Sequence, residues 1–556
     1  MASDTLRLFT FVVFCALSAS ANTTVDWWES ATLYQIYPRS FMDSDGDGIG
    51  DLNGITSRLQ FLKEIGVTAA WLSPIFESPM ADMGYDVANF TNIDPLFGTM
   101  EDFDAMIAKA HKLGIKMILD FVPNHSSDEC EWFQKSVRRE EGYEDFYVWH
   151  DGKIDPETGE RSEPCNWQSV FGGSAWTWVE ERQQYYLHQF LAKQPDFNLT
   201  NPAVRERLIE VLDFWLGRGV DAFRIDAVPF FIEFRYENGS YPDAPPGDSH
   251  KYTQNQPETL ELLYEWREFL DEYQKKHGGD TLPQIPEAFA TTEILSTYIS
   301  NGTHIGSQMP MNFNFVRLRE SSTAQTVEEY AKEWMDIMWT NHKVANWVVG
   351  NHDNTRPATR VGATRTDLMT MIVHALPGTS VTYYGDEVGM TDGDFSCNSD
   401  TCSFRDPERT PMQWDTSKNA GFSTGNSTWL PVNPNYSYLN VQTQRGVARS
   451  TLNIYKGMTS LKQTEAFKAF KEDGGFSYGA LKEQVFQVVR SAVGREEYRL
   501  LANFGSQMEY LDGLANKTME YVLLTSYSPH KYGDKVDLSQ RIYLMPYEAV
   551  ILRWTA

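Results

Sequence analysis

Residues 116–125 read Lys-Met-Ile-Leu-Asp-Phe-Val-Pro-Asn-His, an apolar run (Lys116–Val122) that closes on polar side chains. A continuous apolar run of this length suits a strand buried on both faces, as in a parallel sheet. Similar runs stand at Leu33–Tyr37, Thr68–Leu72, Val220–Ile225, Ala288–Phe289, Gln308–Phe315, Asn346–Val349 and Ser380–Tyr384. Amphipathic segments lie between them. Glu101–Leu113 is apolar at Phe103, Met106, Ile107 and Ala110. Asn201–Leu216 opens Asn-Pro, a cap followed by proline at the first helical position. Glu258–Tyr273 and Val327–Trp339 read the same way. This alternation predicts an α/β fold, a (β/α)8 TIM barrel, with a doubly wound sheet as the alternative on pattern alone.

The connection from His125 to Asn201 is rich in Trp, Tyr, Gly and Glu and too long for a structureless loop, so it is read as a small inserted domain. Beyond about Ser477 short alternating strands separated by Gly, Asn, Ser and Pro predict an antiparallel C-terminal β domain. The expected division is a leader over 1–21, the barrel over 22–125 and 197–476, the insertion over 126–196 and the β domain over 477–556. The leader is read from Arg7, the apolar run Leu8–Leu17 and the small residues Ala19-Ser20-Ala21, a secretory signal pattern.

The chain has 556 residues, enough for two to four domains, and its 41% hydrophobic and 22% charged content excludes a disordered or collagen-like chain. Its net charge of −28 argues against nucleic acid or an anionic membrane surface as partner. An exported chain forms disulfides, and with Cys15 in the leader four cysteines remain. Of three connectivities the sequence-local one, Cys130–Cys165 with Cys397–Cys402, is expected. Among nine Asn-x-Ser/Thr sequons, Asn238 and Asn301, each followed by Gly, read as exposed glycan acceptors.

In a barrel the residues just past the C-terminal ends of the strands build the site. Unusual polar residues recur there: Asp120, Asn124 and His125; Arg224 and Asp226; Glu287; Asn351, His352, Asp353 and Arg356; Asp386 and Glu387. Any one of them reads most simply as a helix cap or a buried pair. Convergence on one rim points instead to a site.

These segments resemble the ordered motifs of glycoside hydrolase family 13, the α-amylase superfamily. QPDFN (194–198), YYGDEVGM (383–390) and TLYQIYPRSFMDSDGDGIGDLNGI (32–55) are similar to its α-glucosidase branch, and with a leader the resemblance is to secreted insect maltases. Glycoside hydrolysis needs one ionised and one protonated carboxyl group. Asp226 suits the nucleophile, held ionised by Arg224 two residues earlier on the same strand face. Glu287 suits the acid/base, with Phe289 as an apolar neighbour; Glu293 is its rival. The resemblance gives Asp353 the third carboxylate position, which binds sugar hydroxyls, makes His125 and His352 hydrogen-bond donors to the terminal sugar, and implies retention of configuration. It also implies a stacking Tyr85 and an Asp86 that, with a later arginine, Arg445 or Arg356, clamps the far hydroxyls and enforces exo-action.

The implied substrates are maltose, short malto-oligosaccharides and sucrose, although Ala227 after the nucleophile matches neither residue linked to a linkage preference in microbial relatives. The loop Asp43-Ser-Asp45-Gly-Asp47-Gly48-Ile49-Gly-Asp51 spaces carboxylates for Ca²⁺, with the Ile49 carbonyl as a ligand, but Gly54 stands where an EF-hand has Glu. A structural ion follows, not a switch, and α-glucosidases carry one in this loop. The alternative reading is a catalytically silent surface binding protein, such as the amino-acid-transporter heavy chains built on this fold; retention of the three carboxylates, Arg224 and both histidines favours the enzyme, with transglycosylation as a third reading. A homodimer, and attachment through a lipid anchor this sequence does not encode, stay open.

Overall fold

The structure is a computed structural model that describes residues 26–341, 343–395, 403–468, 474–492 and 494–556. The leader reading, Cys397 and Cys402 lie outside the described residues.

Its centre is a parallel sheet of β1 (Thr32–Ile36), β2 (Ala69–Leu72), β3 (Lys116–Phe121), β4 (Ala222–Ile225), β5 (Gln284–Pro286), β6 (Asn346–Val348) and β7 (Thr379–Tyr383), in the order β5-β4-β3-β2-β1-β7-β6. Helices Leu52–Glu64, Met100–Leu113, Pro202–Gly217, Thr259–His277, Thr292–Ile299, Ala324–Thr340, Thr366–Ala375 and Thr451–Leu461 supply the outer layer. Asn201 caps Pro202–Gly217 by accepting from the Ala203 N–H, and Phe103, Met106, Ile107 and Ala110 form the buried stripe of Met100–Leu113.

Two strands depart from the sequence reading. The fifth is Gln284–Pro286, not Ala288–Phe289, which lies past the strand end with Phe289 stacked on Phe313 at 4.3 Å. The sixth rung is an extended segment, 308–312, closing the circle between β5 and β6. Met309 and Met311 donate to the carbonyls of Gln284 and Pro286. On its other side Pro310 has no N–H to offer, and the Asn346 side chain replaces a backbone ladder, donating to Pro310 O (2.6 Å) and accepting from Asn312 N (2.9 Å).

The lumen is filled by Leu33, Ala69, Ile118, Ala222, Ile285, Met309, Met311, Val348 and Val381, with Trp28 in the same cluster. Strand side chains repeat every two residues. Two positions further along their strands stand Gln35, Trp71, Asp120, Arg224 and Glu287. The same faces that fill the barrel therefore deliver polar groups to its rim.

Residues 126–196 carry a three-stranded antiparallel sheet, in the order Trp149–His150, Gln184–Leu187, Trp176–Val179, over a small core of Val148, Cys165, Trp167, Ala175, Trp176 and Leu187 that Tyr241 and Ala244 of the barrel complete. The C-terminal six-stranded sheet starts at Gly474, three residues before the expected 477. Cys130 and Cys165 are both free and buried, so the expected Cys130–Cys165 disulfide does not form. The reason is packing: Cys130 belongs to the main core, whereas Cys165 sits in a separate small cluster with Trp167, Trp176 and Tyr241 and accepts from Trp176 Nε1 at 3.3 Å. Alkylation of the denatured, unreduced protein should label both thiols; a cross-linked Cys130–Cys165 peptide would contradict this packing.

Candidate active site

A cleft of about 660 Å³ opens at the C-terminal ends of the strands, within the ~300–1,000 Å³ of small-ligand sites. Its walls bring together Tyr85, His125, Arg224, Asp226, Glu287, His352 and Asp353, all expected from sequence. Asp82, Gln194 and Arg405 join them, and Val170, Phe171, Phe190, Phe230, Phe289 and Phe404 form an apolar surround.

Arg224 organises the floor. Register pairs it with Asp120 across β3 and β4. Its Nη1 donates to Asp120 Oδ1 (2.6 Å) and Asp226 Oδ1 (2.5 Å), and Nη2 lies 3.6 Å from Glu287 Oε2. Burial pushes Asp120 up to about 7. It does so against the Arg224 charge and hydrogen bonds from Arg224 and Tyr85, with Asp226 adding to the rise. The carboxyl oxygens face only donors, Arg224 Nη1, Trp71 Nε1 and Tyr85 OH, a surround that suits the anion. Burial also raises Asp226, again opposed by Arg224. Glu287 is raised to about 7 by burial, with Arg224 opposing and Asp226 and Asp353 adding to the rise. Of the three carboxyls it lies furthest from the guanidinium, so the proton stays there. Phe289 is 58% exposed and stands at the mouth, so it is not what buries Glu287. Glu293 is exposed on the helix Thr292–Ile299, outside the cleft lining.

Ala227 joins Asp226 to Glu287. Its φ of 53° is left-handed, a strained setting for a residue with a Cβ, and its N–H donates to Glu287 Oε2 at 3.1 Å. Burial works against ionising Asp353, but His352, Arg405 and Arg409 hold its carboxyl well below the usual range. Burial lowers His125 to about 4 and His352 to about 3, so both rings are neutral at physiological pH.

The clamp differs from expectation. Asp86 is fully buried, and its carboxylate accepts from Ala81 N, Asp82 N and Ser78 Oγ, tying the loop together. Asp82 is the carboxylate that lines the cleft. Arg445 pairs with Glu64 on the surface. Arg356 is buried between Tyr383 and Tyr384, donating to Tyr384 O and Asp386. Arg405 spans the cleft, with Nη2 2.6 Å from Asp82 Oδ1 and Nη1 2.8 Å from Asp353 Oδ1. Arg409 donates to Asp353 Oδ1 at 3.0 Å. The Phe-Arg-Asp-Pro-Glu-Arg run at 404–409 carried no spacing signal. Gln194, the first residue of the QPDFN segment, also lines the cleft, and its amide donates to Asp82 Oδ2.

In the acidic loop, carboxylate oxygens of Asp43, Asp45 and Asp51 lie within 4.8 Å of one another. Asp47 stands outside that group, and its carboxyl is raised by burial and by its three acidic neighbours. Gly48 has φ +95° and a Cβ there would fall 2.4 Å from Ser427 O, so only glycine closes this loop. Three carboxylates converging on one point suit a hard divalent cation, and of the four expected carboxylate ligands Asp47 is the one outside the convergence. Asn238 and Asn301 are exposed, accepting from Ser240 N and Thr303 N through Oδ1.

Residues 35–472 match the catalytic domain of alpha amylase. The chain belongs to the α-amylase family. It is 61% identical to Maltase A2 of Drosophila melanogaster over 98% of both chains, and 45% identical to the salivary alpha-glucosidase of Aedes aegypti over 81% of both. The trehalulose synthase of Pseudomonas mesoacidophila superposes with a TM-score of 0.83 at 30% identity, over 95% of this chain and 100% of that one. An E254Q variant of that synthase was solved with the substrate sucrose. As a member of this family the chain is a glycoside hydrolase. Replacing Arg405 by Ala should lower kcat/KM on an α-glucoside by roughly two to three orders of magnitude, the usual effect of removing one partner of a buried charge pair, while Arg445→Ala stays within about two-fold. Equal kinetics for the two variants would refute the assignment of the clamp.

Proposed function

We propose that the protein is a retaining, exo-acting α-glucosidase that releases glucose from the non-reducing end of maltose, short malto-oligosaccharides and sucrose. The observation that carries this reading is the sharing of Arg224 between Asp226 and Glu287 in a cleft spanned by the Asp82–Arg405–Asp353 bridge. One guanidinium facing both carboxyl groups places them on the same wall of the cleft as a pair. Retention, which needs such a pair ~5–5.5 Å apart where inversion needs ~6.5–9.5 Å, is supported by membership of the α-amylase family.

Asp226 attacks the anomeric carbon while Glu287 gives its proton to the glycosidic oxygen. A glucosyl–Asp226 ester forms and the aglycone leaves. Glu287, now ionised, takes a proton from water, which attacks the anomeric carbon, frees glucose and restores both carboxyls. Asp353 binds ring hydroxyls; the neutral His125 ring hydrogen-bonds others, and His352, whose Nε2–H lies between Tyr85 OH and Asp353, shares that hydrogen with the sugar. Tyr85 offers its ring to the sugar. The names of the insect relatives support maltose, and the synthase variant solved with sucrose supports the second disaccharide.

We also propose a structural Ca²⁺ held by Asp43, Asp45 and Asp51, screening like charges and bracing the loop. Chelation should then lower the melting temperature and leave kcat of the folded enzyme unchanged; an unaltered melting temperature would remove the ion from the account. Secretion, with glycans on Asn238 and Asn301, is supported by the exposure of both sequons and by the salivary relative.

Purified protein should release glucose from maltose, and Asp226→Asn should lose at least ~10³-fold. The general acid must be protonated, so activity should fall as pH rises through about 7, where Glu287 titrates. Folded protein that releases no glucose from maltose, sucrose or isomaltose would favour the binding-protein reading.

A further inference from the structure

Behind the cleft a hydrogen-bonded chain runs from β1 to the Arg224 site. Gln35 is fully buried at the upper end of β1. Its Nε2 lies 3.1 Å from Ser73 Oγ and 2.9 Å from His352 Nδ1, while its Oε1 is buried without a partner. On the far side of the imidazole, His352 Nε2 is 2.7 Å from Tyr85 OH and 3.3 Å from Asp353 Oδ2. Tyr85 OH is in turn 3.1 Å from Asp120 Oδ2.

The carboxylates at the ends of this chain fix the direction of every proton in it. Asp120 is acceptor only, so Tyr85 gives it the single phenolic proton. Tyr85 can then only accept from His352, and Asp353 also presents an acceptor to the same nitrogen. Nε2 must therefore carry hydrogen. In a neutral ring that leaves Nδ1 as a bare lone pair, and a buried lone pair calls for a donor. Gln35 supplies it, at the cost of an unsatisfied carbonyl oxygen on its own amide.

We infer that Gln35 is a positioning residue that locks His352 in the neutral Nε2–H tautomer, and through Tyr85 and Asp120 keeps Arg224 donating toward Asp226. The inference rests on the α-glucosidase reading for its catalytic consequence, but the tautomer itself does not. The groups facing His352 are Gln35 and Tyr37 from the β1 end, Trp71 from β2, Tyr85, Asp353 and Arg409, with the charges of Arg224 and Arg405 beyond them. A second proton on Nδ1 would meet the Gln35 amide hydrogens head-on, consistent with the neutral ring that burial already favours.

Neutron diffraction on the wild-type protein reads the tautomer directly. The expected result is deuterium on His352 Nε2 and none on Nδ1, with the Gln35 ND₂ group turned toward Nδ1. Deuterium on Nδ1, alone or with Nε2, would overturn the inference. Gln35→Glu tests the consequence by placing an acceptor where the donor was. It should draw a proton to Nδ1, lower kcat/KM about ten- to a hundred-fold as loss of a supporting hydrogen bond does, and add a histidine ionisation to the pH profile between about pH 5 and 8. A folded Gln35→Glu enzyme with wild-type kinetics and pH profile would refute the positioning role. Wild type that releases no glucose from maltose fails the α-glucosidase reading instead, and leaves the neutron result to stand or fall alone.

Discussion

A guanidinium 3% exposed in the upper barrel is the constraint on which the site depends. Such a charge is tolerable only when its partners are fixed and close. Arg224 finds two, Asp120 on the next strand and Asp226 two residues on, with Glu287 just beyond. One positive charge among three carboxyls cannot satisfy all of them. Distance decides which keeps its proton, and so separates an anionic Asp226 from a protonated Glu287. The division of labour that double displacement needs thus follows from a single ion-pair geometry.

The same alternation continues across the cleft. Asp353 takes Arg405 and Arg409, and Arg405 reaches on to Asp82. Cations and anions alternate from the floor to the far wall. The sugar pocket is therefore a fixed array of hydrogen-bonding charges in a chain whose overall balance is strongly acidic. The barrel makes this array rigid, because each strand that carries a polar group to the rim anchors it two residues below on an apolar residue locked in the lumen.

Much of this was legible in sequence for the same reason. Apolar runs that end in charged residues announce both a buried strand and its rim, and Arg224 and Asp226 sit on such an end, whereas Glu287 stands just before the short apolar pair read as the fifth strand. The fifth strand was misplaced because Gln284-Ile-Pro is too short to register as a run, while Ala288-Phe289 beyond it is apolar. Rung six pairs by backbone with β5 alone; toward β6 Pro310 cannot donate, and the Asn346 side chain completes the connection. Cysteine parity says nothing of which core a thiol joins, so Cys130 and Cys165 were paired wrongly. Arg405 was invisible because it reaches Asp82 across 323 residues of chain, from a loop without periodicity. Within the Asp82–Asp86 loop two carboxylates compete for one role, and only folding shows that Asp86 is consumed by backbone amides while Asp82 faces the cleft.

The central claim is that Asp226 forms a covalent bond to glucose, and the most direct measurement is to trap that bond. A glucosyl fluoride carrying a ring fluorine forms the ester with an activated leaving group and slows its hydrolysis. After incubation, digestion and mass spectrometry, the account predicts one glucosyl adduct, on the peptide containing Asp226, that maltose competes away. An adduct on Glu287 or Asp353, or turnover of the fluoride with inverted anomeric configuration and no adduct, would contradict it.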